Sequence, residues 1–264
     1  MNSKFRIITI SLLWVASFYG CKKEESSLLN LEQVNNPRAQ KIMAPGNNSI
    51  GFILDDEISF YYLTEGYVWR LDKTSTFQIP FPTQGLLSFG MGTIAVLRDN
   101  TLHFYYLDSS HQWPQTHDLI LPLPSGYNRI SAMRMPWQHG VAAVETRGIV
   151  EFYYLDENKR WQKDETATFV LPSGIDDYIM LGAMDIGIIS DNKLGVYRLE
   201  FDGSWVFDED MVLRLPENTT GVLSFDPGLI TVLTEDNMLY FFEADFERGF
   251  WIFDDTMNFP MPSL

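Results

Sequence analysis

The sequence contains a single cysteine among 264 residues, which excludes a disulfide framework within the chain and any CxxC redox or metal motif. Basic residues are also few, with 19 Lys and Arg against 35 Asp and Glu and a formal charge of −16. Because nucleic acid is bound through basic faces, this balance predicts no nucleic-acid partner. The four histidines lack metal-ligand spacing, and no GxSxG, HExxH or phosphate-binding Gly loop occurs. Neither a metal site nor a cofactor is expected.

The first 21 residues carry a pattern typical of an export signal. Lys4 and Arg6 precede the mostly apolar run Ile7–Phe18, which stops at Gly20 and Cys21. A run of about 12 residues is too short to span a bilayer comfortably but suits the core of a signal peptide. The fold argument therefore excludes residues 1–20. Their removal leaves 17 basic and 35 acidic residues, a charge of −18.

This N-terminal pattern resembles a bacterial lipoprotein signal, and Lys22–Glu25 resembles the surface-export signal of Bacteroidetes lipoproteins. The resemblance implies cleavage before Cys21 and acylation of that cysteine with palmitate-type chains, which anchor a domain firmly. It also implies an outer-membrane location facing the exterior, with the periplasmic face as the alternative. A signal cut elsewhere, with Cys21 as a chance thiol, remains open. Residues 21–38 are expected to form a flexible tether.

Three markers recur in the same order five times between residues 39 and 264. An aromatic triplet comes first, at intervals of 44, 48, 44 and 44 residues: Tyr61–Leu63, Tyr105–Leu107, Tyr153–Leu155, Tyr197–Leu199 and Phe241–Glu243. A tryptophan follows each triplet: Trp69, Trp113, Trp161, Trp205 and Trp251. An apolar-Pro pair closes each unit, beginning at Phe81, Leu123, Leu171, Leu215 and Met261. A fixed period of this kind is the signature of a repeat architecture.

Each unit is built from strands. Apolar and aromatic segments such as Thr101–Leu107 are bounded by short polar turns such as Asp99–Asn100, where Asp, Asn and Gly tolerate positive φ. Four short antiparallel strands per 44–48 residues is typical of a propeller blade. The sequence therefore predicts an all-β, five-bladed β-propeller over residues 39–264, similar to tachylectin-type propellers in architecture only. Each blade is expected to use consecutive strands, with Leu28–Val34 as a possible additional outer strand.

The five repeated tryptophans allow two interpretations. One aromatic ring per blade could stack on sugar rings, or each ring could pack between neighbouring blades, where a buried aromatic supplies a large contact area. The Asp-rich turns are expected to be structural, although they form an acidic rim on the face that also carries the inter-blade loops. We therefore treat the five tryptophans as candidate ligand-binding residues, with packing between blades as the alternative.

The third unit departs from the repeat by about four extra residues in the loop between its first two strands. This loop holds Arg134, Trp137 and His139, none of which belongs to the repeat pattern. It is expected on the face opposite the Asp-rich turns, near the central channel. We therefore interpret these three residues as a candidate ligand site, with a plug over the channel as the alternative.

The sequence predicts a non-catalytic surface protein that binds either a glycan or a protein through one face of the propeller.

 The chain is expected to be a monomer, held at the membrane through Cys21. Glycosidases of propeller fold place paired carboxylates on the innermost strands, whereas here Asp177, Asp185 and Asp226 lie only at the strand ends. The leading hypothesis is thus a non-catalytic binding protein. A glycan-active hydrolase and a structural envelope scaffold are the alternatives.

Overall fold

The structure is a computed structural model that describes residues 29–30, 42–46, 49–90, 92–133, 140–182 and 184–261. Each repeat unit forms one four-stranded antiparallel sheet whose strands follow chain order. The first two blades are β2 (Ile42–Gly46), β3 (Ser49–Leu54), β4 (Glu57–Leu63), β5 (Trp69–Gln78) and β6 (Gly85–Gly90), β7 (Thr93–Arg98), β8 (Thr101–Tyr106), β9 (Gln115–Pro122). The third and fourth are β10 (Arg129–Met133), β11 (Val141–Thr146), β12 (Ile149–Leu155), β13 (Trp161–Val170) and β14 (Asp177–Met180), β15 (Asp185–Ser190), β16 (Lys193–Leu199), β17 (Trp205–Arg214). The fifth is β18 (Thr219–Asp226), β19 (Leu229–Thr234), β20 (Met238–Asp245), β21 (Phe250–Pro260).

The second and third strands of each blade are joined by the tight turns that the sequence predicted. Residues in these turns adopt positive φ, as tight hairpin turns require; four of the turns have two residues and that of the fifth blade has three, 235–237. Their φ angles are 53° at Asp55, 49° at Asp99, 55° at Arg147, 50° at Asp191 and 61° at Asn237. The turn chemistry therefore sets the register of the two strands on either side.

The core consists of five apolar clusters, one between each pair of neighbouring blades. The strands carry apolar side chains on both faces because each blade is covered on both sides by its neighbours. The innermost strands also touch around the ring, from β2 to β6, β10, β14, β18 and back to β2. The chain is therefore a closed, all-β, five-bladed β-propeller, which confirms the predicted fold.

Two hydrogen-bond patterns define the two faces of the ring. On one face, the backbone N–H that follows each outermost strand donates to the hairpin turn between the second and third strands, as Leu123 does to Asn100 (2.8 Å). We call this the Asp-turn face. On the other face, the backbone N–H at the end of the third strand donates to a backbone carbonyl in the turn between the first and second strands, as Leu199 N–H does to Met184 O (2.8 Å). We call this the insertion face, because the loop 134–139 connects there.

A further short strand, β1 (Leu29–Asn30), pairs in parallel with β6. It lies on the inner edge of the second blade, whereas the alternative considered above would have added an outer strand. No helix suited to crossing a bilayer occurs in the described ranges.

Candidate functional site

A shallow cavity of about 10 Å³, the room that one water molecule needs, opens at the central channel on the insertion face. The ends of the innermost strands of four blades line it, together with the turn that follows β18: Ala44, Ser88, Gly90, Ala132, Ser224, Phe225, Asp226 and Pro227. These positions meet because every innermost strand runs toward this face and ends at the channel. The lining combines small side chains with hydroxyl and carboxyl groups, so the cavity is polar.

Asp226 is the acidic residue of this lining. Burial raises the pKa of its carboxyl group to about 6, and no described residue offers it a hydrogen bond or an ion pair. The carboxyl is therefore an unused hydrogen-bond acceptor at the channel mouth. An acid with a pKa near 6 is largely ionised at neutral pH.

Two serines also line the cavity, and they differ in hydrogen bonding. Ser88 donates its hydroxyl hydrogen to the carbonyl oxygen of Ala44, which joins the second blade to the first. Ser224 Oγ is buried and has no hydrogen-bond partner. Because a buried polar atom without a partner costs free energy, Ser224 and Asp226 are both groups that a polar ligand would satisfy.

The candidate residues Arg134, Trp137 and His139 lie outside the described residues. Their loop is flanked by Met133, at the end of β10, and by Gly140. Ala132, next to Met133, lines the cavity. The strand that precedes the loop therefore reaches the cavity wall, while the assignment of these three residues to a ligand site stays a prediction. Cys21 also lies outside the described residues, and its lipidation stays a prediction.

The five repeated tryptophans do not converge on one site, because each lies at a different blade interface. Four of them stack on a phenylalanine from the third strand of the preceding blade, with ring centroids 5.1–5.7 Å apart: Trp69 on Phe241, Trp113 on Phe60, Trp161 on Phe104 and Trp205 on Phe152. Trp251 packs on the fourth blade in the corresponding way, in a cluster where Val196 takes the place of the phenylalanine. Each indole is partly buried in an interface, while its proposed role in ligand stacking stays a prediction.

Sequence reasoning named Asp226 only as a strand-end carboxylate and did not identify the two serines. Ser88 and Ser224 occupy equivalent positions in β6 and β18, where the first and third blades have alanine and the fourth has Met180. A position-by-position comparison of the five units would have shown this, since a hydroxyl replaces an apolar side chain in an innermost strand.

No protein-family model and no curated protein matches the chain. Among solved structures, it is similar to the SapL1 lectin in complex with alpha methyl fucoside, at 17% identity and a TM-score of 0.46, covering 86% of this chain and 83% of that one. It is also similar to a periplasmic gluconolactonase of Pseudomonas aeruginosa, at 13% identity and a TM-score of 0.40, covering 81% and 67%.

Hsv2 of Kluyveromyces lactis is a third similar structure, at 9% identity and a TM-score of 0.41. The match covers 77% of this chain but only 58% of the Hsv2 chain. These likenesses are low, and the assignment to the five-bladed propellers rests on strand order and blade packing. In this chain, the mouth of the channel carries polar groups that include one acid, Asp226.

Proposed function

We propose that this chain is a surface-displayed binding protein that recognises a glycan at the insertion-face mouth of its channel, without cleaving it. The observation that carries the proposal is the cavity lining, in which the Asp226 carboxylate has no partner among the described residues and the buried Ser224 hydroxyl has none either. Sugar hydroxyl groups donate to carboxylates and exchange hydrogen bonds with serine. This donor and acceptor set suits a polar, uncharged ligand such as a sugar.

The same lining argues for recognition over hydrolysis. Glycoside hydrolysis needs a pair of carboxyl groups about 5–10 Å apart. Asp226 is the one carboxylate among the described residues that line this cavity. Within the part of the chain that the structure describes, no group of three or more His, Cys, Asp and Glu residues could hold a metal ion. The hydrolase alternative therefore lacks a second acid at this site.

The insertion at residues 134–139 favours a ligand site on the same face. Trp137 is the aromatic residue of that loop, and indole rings stack well on the apolar faces of sugars. Because the loop begins beside Ala132, Trp137 is the aromatic group we assign to the ligand. Protein recognition through the same face is the alternative ligand class.

A glycan array tests the ligand class. The mature chain, residues 21–264 with Cys21→Ser to prevent acylation, is expected to bind a defined subset of glycans. Asp226→Asn is expected to weaken binding by about tenfold, since hydrogen bonds to charged groups contribute roughly 1.5–3 kcal/mol. Trp137→Ala is expected to weaken it comparably.

Asp99→Asn, in a turn on the opposite face, is the matched control and should bind like the parent chain. Mass spectrometry of the bound glycans should show intact molecules. Absence of binding across the array would contradict the proposed site, and so would Asp226→Asn and Trp137→Ala variants that each bind as tightly as the parent chain. Release of a shorter glycan would favour the hydrolase.

The anchoring part of the proposal rests on the N-terminal pattern and has its own test. We propose that Cys21 is acylated, that the tether joins it to the propeller, and that the protein is a monomer on the outer membrane. Metabolic labelling with palmitate should mark the wild-type chain and not Cys21→Ala. Protease treatment of intact cells distinguishes the external from the periplasmic side of that membrane.

A further inference from the structure

On the Asp-turn face, at the interface between the third and fourth blades, four polar residues occupy positions that hold glycine or an apolar residue in other described blades. Arg129 and Asp177 begin the innermost strands β10 and β14, where the second and fifth blades have Gly85 and Gly221. Tyr178 follows Asp177, at a position held elsewhere by Ile42, Leu86, Ile130 and Val222. Glu145 in β11 stands where the other second strands have Ile53, Leu97, Ile189 and Leu233.

These four departures form one cluster. The Arg129 guanidinium donates through Nη1 to Asp177 Oδ1 across the interface, and its Cζ lies 5.5 Å from the ring centroid of Tyr178. Glu145 Oε1 accepts from Asn128 Nδ2 at 3.0 Å and from the N–H of Gly148 at 2.6 Å. The charges of Arg129, Glu145 and Asp177 all act on the Tyr178 hydroxyl. The cluster therefore joins two blades around a single arginine.

The cluster has more negative than positive charge. It holds the carboxyl groups of Glu145, Asp177 and the neighbouring Asp176, and one positive charge, that of Arg129. Burial raises the pKa of Asp177, and Asp176 adds to the rise while Arg129 opposes it. A buried excess of carboxylate is costly unless a proton or a cation neutralises it.

Tyr178 supplies an observation that does not depend on this charge balance. Its side chain is only 1% exposed, and its hydroxyl has no hydrogen-bond partner. In the other described blades the same position is apolar, so packing alone does not require the hydroxyl. An unpartnered phenolic oxygen beside two carboxylates is an acceptor for a hydrogen-bond donor that enters the cluster.

We propose that this cluster binds a primary ammonium group that enters the channel from the Asp-turn face. An ammonium carries three N–H donors on one positive charge, which suits acceptors on Asp177, Glu145 and Tyr178. Arg129 repels any cation, but it repels a divalent metal ion more strongly than a monovalent ammonium. Side-chain exposures of 17% at Arg129 and 19% at Asp177 show that solvent reaches the charged part of the cluster.

The rim of this face favours the same ligand. Acidic residues of the hairpin turns lie on this face and raise the local concentration of cations: Asp55, Asp56, Asp99, Asp191 and Asp236. The ammonium group could come from a lysine side chain of a partner protein or from a free polyamine. This inference is independent of the proposed glycan site, which lies on the opposite face.

Isothermal titration calorimetry on the mature Cys21→Ser chain tests the site with four probes. n-Butylammonium is expected to bind at one site with a Kd on the order of 1 mM. Tetramethylammonium, which has the charge but no N–H donor, is expected not to bind. Nα-acetyl-lysine methylamide and cadaverine separate the two sources, because tighter binding of the first indicates a peptide and tighter binding of the second a free amine.

Variants separate the cluster from its acidic rim. Tyr178→Phe and Glu145→Gln are each expected to weaken n-butylammonium by about fivefold, the loss that follows from one hydrogen bond. Asp226→Asn at the other mouth should bind like the parent chain, and Asp236→Asn on the rim should weaken binding by less than about twofold, because it removes one of several distant charges. Equal binding of tetramethylammonium, unchanged binding by both cluster variants, or absence of saturable binding would overturn the proposal. Thermal unfolding confirms that each variant is folded.

Discussion

The indole N–H of Trp69 in the first blade donates to the main-chain oxygen of Met257 in the fifth blade, at 2.8 Å. Trp69 also stacks on Phe241 of that blade, with ring centroids 5.7 Å apart. Both contacts join the two blades that are most distant in the chain. Side-chain packing therefore closes the ring, since the four antiparallel strands of each blade are consecutive strands of one repeat.

Trp69→Ala is expected to lower the free energy of unfolding by about 3–5 kcal/mol, because it leaves a cavity at the closing interface. Urea denaturation followed by circular dichroism measures this change. Trp69→Phe keeps most of the packing but loses the hydrogen bond, and should cost about 1 kcal/mol more than Trp205→Phe. Trp205 is the matched control because its indole nitrogen is buried without a partner. Equal costs for the two Phe variants would contradict this reasoning.

The pKa of Asp226 predicts how stability depends on pH. Burial raises this pKa to about 6 in the folded chain, above its ordinary value of 3.8. The folded state therefore holds the proton more tightly, and this contribution to stability is complete below pH 4 and lost as pH rises through 6. For this half-buried group the effect is on the order of 1 kcal/mol.

The measurement is the difference in unfolding free energy between the parent chain and Asp226→Asn at pH 5 and at pH 7.5. Asparagine cannot ionise, so the variant should gain stability relative to the parent chain as pH rises. A constant difference between the two chains across that range would argue against a raised pKa.

Two glycines in the fourth blade should respond differently to alanine. A Cβ at Gly187 would lie 2.7 Å from Leu194 Cδ1 and 3.1 Å from Ile179 Cγ1, inside a packed interface. Gly187→Ala is therefore expected to cost about 1–3 kcal/mol. At Gly195 the Cβ would meet Phe207, whose side chain is 41% exposed and can turn away. Gly195→Ala should cost much less. Thermal unfolding of the two variants and the parent chain measures both changes.

Arg147 occupies a turn position with a φ of 55°, which arginine adopts less readily than asparagine. Arg147→Asn creates an Asn-Gly turn with Gly148 and is expected to stabilise the chain by about 0.5–1 kcal/mol. Differential scanning calorimetry should show a higher Tm. Asn100→Ala, at a turn position with a φ of 57°, is the opposite change and should lower it.

The blades could be predicted because their markers are local in the sequence. Turns such as Asp99–Asn100 and the tryptophans such as Trp113 recur at fixed spacing, and local turn chemistry together with one aromatic per interface specifies each blade. The channel sites could not be predicted in the same way. Ser224 and Tyr178 lie in strands that read as apolar, and only ring closure brings strands from different repeats together at the channel.

Ring closure also has a consequence for the order of assembly. The first blade presents the surface around Trp69 as soon as it exists, whereas its covering partners, Phe241 and Met257, belong to the last blade to be synthesised. A nascent chain of four blades is therefore an open arc with an apolar surface at each end. Two such arcs from different molecules can pair end to end, so completion of the fifth blade protects the chain against aggregation.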